Sequence, residues 1–217
     1  MSAIRLGTRA STLATTQSEM VAGLLRSEGL DVNLTTITTH GDTSTASLAA
    51  MGGIGVFASA IRAALLEGEA DIAVHSFKDL PTGRPLGLAI GAVPARADPR
   101  DALVARDGLT LHDLPQEASV GTGSPRRAAQ LLAVRPDLTI VDIRGNVDTR
   151  LGRVKGLGRY AKNGGKEDLD AVVLAASGLA RLGHSGAVTE FLDPSVVLPA
   201  PCLLYTSPSP RDATLSR

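Results

Sequence analysis

The chain has 217 residues, of which 43% are hydrophobic and 20% are charged, so its composition is that of a globular protein rather than a disordered one. Basic and acidic residues both number 22, and this balance excludes a general affinity for nucleic acid or for acidic membranes. The single Cys202 excludes an internal disulfide and a cysteine-rich metal site. We expect a cytoplasmic protein, since the sequence has neither a secretory signal nor an apolar run of the roughly 20 residues that a membrane span needs.

The first half of the chain alternates short apolar runs with helical periods, a pattern typical of α/β proteins with largely parallel strands. Strands are predicted at 3–7, 32–37, 70–76 and 86–93, and helices at about 11–28 and 54–67. The run "PARADPRD" at 94–101 is polar and contains two prolines, so it predicts a crossing between two domains.

The second half repeats the alternation and then changes character. Strands are predicted at 101–105, 118–122, 138–143 and 169–175, and helices at about 124–134 and 146–155. The last segment, 202–217, contains two Ser-Pro steps and no periodicity, which predicts a disordered tail.

The stretch "GTGSPRRAAQ" at 121–130 raises a question of charge. Ser124 can cap a helix and Pro125 suits its first position. Arg126 and Arg127 follow, although cations are disfavoured at a helix N-terminus. The pair therefore predicts that an anion lies beside it.

Basic side chains recur where predicted strands end and helices begin. Ligands of open α/β sheets bind beyond the carboxyl ends of the strands, so these side chains can face one crevice. The residues in this position are Arg9, Lys78, Arg126, Arg127, Arg144 and Arg150. Arginine binds carboxylates through two parallel hydrogen bonds, which favours a ligand with several carboxylates. The alternative for each arginine is a solvated surface residue or an ion pair with a nearby aspartate.

Asp79 is the acid placed at the centre of this basic crevice, after the apolar strand "DIAVHS". An ionised carboxylate there can stabilise a cation that develops on a substrate and can carry a proton. The alternative is a surface pair with Lys78 or a helix cap. His75 and His40 are interpreted as structural histidines at strand ends, and the glycines of "MGGIGVF" are a weak sign of a ligand loop.

Taken together, the motifs resemble those of the porphobilinogen deaminase family. They occur in the family's order, as "TRAS", "THGD", "GGIGVF", "DIAVHSFKDLP", "DPRDALV", "GTGSPRR", "IRGNVDTR" and "LPAP". The resemblance runs from about Ile4 to Pro201. It implies two α/β domains like those of periplasmic binding proteins with a cleft between them, domain 1 at 1–95 plus 195–201 and domain 2 at 96–194. The family's third, smaller α+β domain is expected to be absent.

The resemblance also implies a function. Such enzymes are transferases of tetrapyrrole and haem biosynthesis that join four porphobilinogen molecules head to tail into hydroxymethylbilane and release four ammonia molecules. Asp79 matches the catalytic aspartate. The residues that match positions binding substrate or the dipyrromethane cofactor are Arg9, Ser11, Asp42, Lys78, Thr122, Ser124, Arg126, Arg127, Arg144, Asn146 and Arg150. The implied protein is a cytoplasmic monomer without a metal, which binds porphobilinogen and neither nucleic acid nor a membrane.

The sequence departs from the family in two places. The family holds dipyrromethane on a cysteine of its third domain, and Cys202 is not its equivalent, because it follows "LPAP" where the family usually continues Gly-Gln-Gly. We therefore expect the chain as written neither to assemble the cofactor nor to turn over porphobilinogen. Ile54 stands where many relatives have lysine, so one anion contact is expected to be missing.

Two other functions remain open from the sequence. The same two-domain fold serves non-catalytic anion-binding proteins, although the chain lacks a secretion signal and a helix-turn-helix pattern. A phosphate or nucleotide binder is disfavoured, because neither a P-loop nor a convincing dinucleotide fingerprint is present.

Overall fold

The computed structural model describes residues 2–38, 58–81 and 86–204. His40, Asp42 and the glycine-rich loop with Ile54 lie outside the described residues. The chain divides into two compact units, one within Met1–Ala95 and Ala180–His184, the other within Arg96–Leu179 and Ser185–Arg217.

The first unit is built on a parallel three-stranded sheet in the order β2-β1-β3. Its strands are β1 (Ile4–Thr8), β2 (Val32–Thr36) and β3 (Ile72–Ala73), and its helices are α1 (Thr12–Ser27) and α2 (Ser59–Leu66). Leu6, Ala22 and Val32 are fully or almost fully buried and form the core between the sheet and α1. The sheet and α1 therefore pack through one apolar face each, as in other α/β layers.

Helix α1 begins where the sequence provides a cap. The Ser11 side chain accepts a hydrogen bond from the backbone N–H of Ala14 at 3.4 Å. Further along α1, the buried Ser18 hydroxyl donates to the Thr8 hydroxyl at 2.8 Å. These two bonds fix the start of α1 at the carboxyl end of β1.

The second unit has a five-stranded sheet in the order β6-β5-β7-β4-β8. The strands are β4 (Asp101–Ala105), β5 (Ser119–Gly121), β6 (Thr139–Val141), β7 (Ala171–Ala175) and β8 (Glu190–Phe191). The helices are α3 (Pro125–Val134), α4 (Val147–Leu151), α5 (Ala176–Arg181), which continues into the first unit, and α6 (Pro201–Leu204). Strands β6, β5 and β7 run parallel, whereas β4 pairs antiparallel with β7 and β8.

Strand β4 is buried on both faces, which explains the run of apolar residues that follows Asp101. Leu103 and Ala105 pack into the core cluster that contains Leu131 of α3. Ala102 and Val104 pack into the opposite cluster with Leu151 of α4. The sheet is thus covered by helices on both sides, and the predicted α/β class is confirmed.

Several predicted elements differ from the structure. Residues 86–93 form no strand, and Leu86 is 95% exposed, so the strand predicted there is wrong. Helix α4 stops at Leu151 rather than near 155, because the chain then turns to form a parallel bridge between Val154 and Leu169. Residues 202–204 belong to the short helix α6 rather than to a disordered tail, and 205–217 lie outside the described residues.

The return segment also differs from the sequence analysis, which assigned 195–201 to the first domain. Val197 is fully buried in the core of the second unit. The Gln130 side chain accepts from the N–H of Leu198 at 2.8 Å and donates to its carbonyl at 3.2 Å. These contacts place the segment in the second unit.

Candidate functional site

A small cavity of about 60 Å³ lies in the first unit, at the edge of the sheet where β1 and β3 end. Because these two strands are parallel neighbours, the residues that follow them meet at one edge. The lining residues are Arg9, Ser11, Leu13, Ala14, Gln17, Val74, His75, Ser76 and Asp79. Arg9, Ser11 and Asp79 of the predicted site therefore share one cavity.

Two hydrogen bonds hold the wall of this cavity together, one within a turn and one between the turn and α1. Asp79 ends a 3-10 turn, and its backbone N–H donates to the carbonyl of Ser76 at 2.9 Å. The Ser76 hydroxyl donates to the side-chain oxygen of Gln17 at 3.1 Å, which joins this turn to α1. Lys78 lies on the same turn but is exposed and does not line the cavity.

His75 is a wall of the cavity rather than only a residue at a strand end. Partial burial lowers its pKa, Asp79 acts in the opposite direction, and the positive charges of Arg62 and Arg9 lower the pKa further. The net shift is downward from the usual 6.5, so the imidazole is neutral at pH 7. The cavity therefore combines an acid, a neutral imidazole and an arginine.

In the second unit, the loop from β5 to α3 is tightly folded. The N–H of Ser124 donates to the hydroxyl of the buried Thr122 at 3.2 Å, and the Ser124 hydroxyl caps α3 at the N–H of Arg127. Gly123 comes so close to the segment after β6 that a Cβ there would lie 2.6 Å from the carbonyl oxygen of Ile143. This close approach fixes the loop against the end of the sheet.

The chain after β6 has a similar arrangement to the chain after β5. Asn146 caps α4, and its side-chain oxygen accepts from the N–H and the hydroxyl of Thr149, both at 2.8 Å. Gly145 before it has φ +102°, a conformation that favours glycine. The ends of β5 and β6 thus each lead into a capped helix that carries arginine.

The anion beside Arg126 and Arg127 is a protein carboxylate. The two oxygens of Asp101 accept from Nη2 of Arg127 at 2.6 Å and from Nη2 of Arg126 at 2.7 Å. Burial alone would raise the pKa of Asp101, but these hydrogen bonds and charges outweigh it and lower the pKa. For these two residues the structure shows the ion pair that the sequence left as the alternative, formed with an acid the sequence analysis did not consider.

Arg150 has a different environment. Its Nε donates to the carbonyl of Gly145 at 2.8 Å, and within the described part of the chain no carboxylate is bonded to it. Burial lowers its pKa, the nearby Arg127 and Arg144 lower it further, and Asp142 opposes them. A half-buried guanidinium among like charges is a site that a bound carboxylate would stabilise.

The structure brings the predicted residues together in two groups, one in each unit. Arg9, Ser11 and Asp79 line the cavity of the first unit, and Thr122, Ser124, Arg126, Arg127, Arg144, Asn146 and Arg150 follow β5 and β6 in the second. Sequence reasoning missed Gln17 and Asp101. The signal for Asp101 was an acid at the head of an apolar strand, where burial demands a cationic partner.

Several curated proteins are similar to this chain over most of its length. Porphobilinogen deaminase of Micrococcus luteus is 59% identical over 208 residues, which cover 93% of this chain and 55% of that protein. Those of Leifsonia xyli and Thermobifida fusca are 58% and 55% identical, and cover 92% and 91% of this chain. The chain spans 55% to 59% of the length of these three relatives.

Similarity to solved structures is low. A periplasmic substrate-binding protein from Coxiella burnetii is 19% identical, with a TM-score of 0.39 over 95% of this chain and 80% of that one. No helix in the described ranges is long and apolar enough to cross a membrane. The sequence profile of "porphobilinogen deaminase, dipyromethane cofactor binding domain" matches residues 4–203. The chain therefore belongs to the porphobilinogen deaminase family.

Proposed function

We propose that this chain carries the substrate-binding and catalytic residues of a hydroxymethylbilane synthase, which joins four porphobilinogen molecules head to tail and releases four ammonia molecules. The observation that carries the proposal is the cavity in which Asp79 lies with Arg9, Ser11 and the neutral His75. Its chemistry matches a substrate that bears carboxylates and becomes cationic during the reaction.

The proposed role of Asp79 follows from where charge develops. Cleavage of the C–N bond of the protonated aminomethyl group releases ammonia and leaves a cation that is delocalised onto the pyrrole nitrogen. A fixed carboxylate beside that N–H stabilises this cation more than it stabilises the uncharged pyrrole ring of the substrate, which lowers the barrier. The carbon of the next pyrrole then forms the new C–C bond and loses its proton, so atoms and charge balance. Arg9 and Ser11 are proposed to hold the acetate and propionate groups.

The arginines of the second unit fit a ligand with several carboxylates. Arg150 is half-buried among like charges and bonds only a carbonyl within the described ranges, and Nε of Arg127 is buried without a hydrogen-bond partner there. Dipyrromethane, when bound, supplies a two-ring primer with acetate and propionate groups on which the product is extended. Arg127, Arg144 and Arg150, with the loop residues Thr122 and Ser124, are proposed to hold these groups.

The test is ammonia release from porphobilinogen, comparing the protein that carries this chain with its D79N variant. We expect D79N to lower the rate at least about a hundredfold, because the stabilising charge is lost, while porphobilinogen binding stays similar or tightens. D71N is the matched control, since Asp71 pairs with Arg5 on the surface of the same unit.

The outcomes separate this proposal from the alternative. Equal ammonia release by D79N and the native protein would contradict a catalytic Asp79. Tight binding of porphobilinogen without ammonia release by any of the three proteins, each with dipyrromethane attached, would instead favour a non-catalytic anion-binding protein.

We further infer that the protein is a cytoplasmic monomer. It binds porphobilinogen and neither nucleic acid nor a membrane. The balanced charge of the chain supports this, because it leaves no excess of basic residues for a polyanion. Analytical ultracentrifugation of the protein at several concentrations, with and without porphobilinogen, tests the monomer.

A further inference from the structure

The carboxylate of Asp101 is the most constrained acid near the arginines of the second unit. Asp101 is the first residue of β4, and its side chain is 3% exposed. One oxygen bonds Arg127 and the other bonds Arg126, at 2.6 and 2.7 Å. A buried carboxylate that bridges two guanidinium groups restricts the orientation of both.

Each arginine also has a second anchor. Nη1 of Arg127 donates to the carbonyl of Val173 at 3.3 Å, and Nη1 of Arg126 donates to the carbonyl of Leu198. The guanidinium group is planar, so two anchors determine where its remaining N–H groups point. Leu198 is itself held by Gln130 of α3, so the anchors of Arg126 belong to packed elements of the same unit.

Without such anchors the local charges would drive the two arginines apart. Both lie in the first turn of α3, where the backbone N–H groups already carry partial positive charge. Arg127 and Arg144 also lie close enough to Arg150 to affect its titration. The carboxylate of Asp101 is therefore the group that lets two adjacent guanidinium groups stay ordered at this position.

We propose that Asp101 is a positioning residue for carboxylate binding in the second unit, because it holds Arg126 and Arg127 in the orientation in which their remaining N–H groups meet the ligand. The identity of the ligand, porphobilinogen and its oligomers, rests on the proposed function. The role of Asp101 rests on the hydrogen bonds alone.

Charge and orientation predict opposite effects when Asp101 is neutralised. Removal of a negative charge near the arginines should, by Coulomb's law alone, strengthen the binding of an anion. Loss of preorganisation should weaken it, because the ligand must then order the side chains itself. The sign of the change in affinity therefore distinguishes the two roles.

The experiment measures binding by isothermal titration calorimetry, with porphobilinogen and with citrate, a tricarboxylate, as probes. We expect D101N to weaken binding of both at least about tenfold, as loss of groups that orient binding residues commonly does. D142N is the matched control, because it also removes one negative charge from the arginine cluster, near Arg150. Asp142 is exposed and makes no hydrogen bond to Arg126 or Arg127. We expect D142N to bind the probes as tightly as the native protein or slightly more tightly. D101N binding equal to or tighter than native would overturn the proposal.

A second measurement on the native protein covers the case in which D101N does not fold. Side-chain NMR of arginine-labelled protein should show separate, slowly exchanging Nη signals for Arg126 and Arg127, because their anchors hinder rotation. Averaged signals would overturn the proposal whatever D101N does. If the native protein binds citrate but not porphobilinogen, the proposed function fails while the role of Asp101 is still tested.

Discussion

At the scale of single residues, the chemistry of the first unit depends on how Asp79 and His75 influence one another. Both line one small cavity, and the aspartate charge favours the protonated form of the histidine. Burial and the arginine charges win, so the histidine is neutral. A neutral imidazole beside a carboxylate is able to accept a proton, which suits the proposed reaction, in which a substrate carbon loses one.

The effect of the Asp79 charge on the pKa of His75 can be measured. We expect D79N to lower the pKa of His75 further, because the negative charge that raises it is removed while burial and the arginines remain. The measurement is an NMR titration of the His75 imidazole, which is one of four histidines in the chain. D71N should leave the His75 titration unchanged. An upward shift in D79N would contradict the described arrangement.

The sequence predicted where the arginines lie in the fold but not which residues they bond. Strand ends and helix caps predicted that six basic residues can face one crevice, because those signals are local. The six are Arg9, Lys78, Arg126, Arg127, Arg144 and Arg150. The partner of Arg127 could not be assigned in the same way. Asp101 is 26 residues away along the chain, and only the packing of β4 in the sheet brings it to α3.

At the scale of elements, the sequence predicted the helices and strands whose own residues mark where they begin and end. Strand β4 was predicted with its observed bounds, since both of its faces are apolar, and α3 begins at Pro125 after its Ser124 cap. Strand β8 was missed because two residues show no periodicity and are ordered only by pairing with β4. The strand predicted at 86–93 was wrong because apolar residues alone do not provide a pairing partner.

The loop from β5 to α3 should be intolerant of side chains at Gly123. We expect Gly123→Ala to lower the free energy of unfolding by about 1 to 3 kcal/mol, because its Cβ would lie 2.6 Å from the carbonyl oxygen of Ile143, a backbone atom. Urea unfolding followed by circular dichroism measures the change. Gly186→Ala is the control in the same unit, since a Cβ at that position would meet no atom within 4 Å, and we expect a change within about 0.5 kcal/mol. Equal stability of the two variants would contradict the close packing of the loop.

At the scale of the whole molecule, each unit has its own buried core, and ionised carboxylates stabilise both. In the first unit, hydrogen bonds from Arg5 lower the pKa of Asp71 to about 2. In the second unit, burial alone would raise the pKa of Asp170, but hydrogen bonds from Lys155, Ser119 and Arg106 lower it well below its usual value. The folded chain therefore favours the charged form of both carboxylates, and the largely buried Asp170 contributes more to stability than the exposed Asp71.

This dependence predicts how stability responds to acid. The pKa of each of these carboxyl groups is lower in the folded chain than the usual 3.8, so the unfolded chain binds protons first as the pH falls. The stabilisation is complete above about pH 4 and is lost progressively below it. We expect the urea midpoint to be similar at pH 5 and pH 7 and to fall steeply by pH 3. The D170N variant should show a weaker fall, and a native midpoint that is the same at pH 3 and pH 7 would refute the prediction.

The amide of Gln130 bonds both backbone groups of Leu198, in the manner of a neighbouring strand. These hydrogen bonds join helix α3, which bears the arginine pair, to the stretch of chain that leads to Pro201. A ligand that displaced α3 would therefore strain the hydrogen bonds to Leu198 and disturb the backbone there.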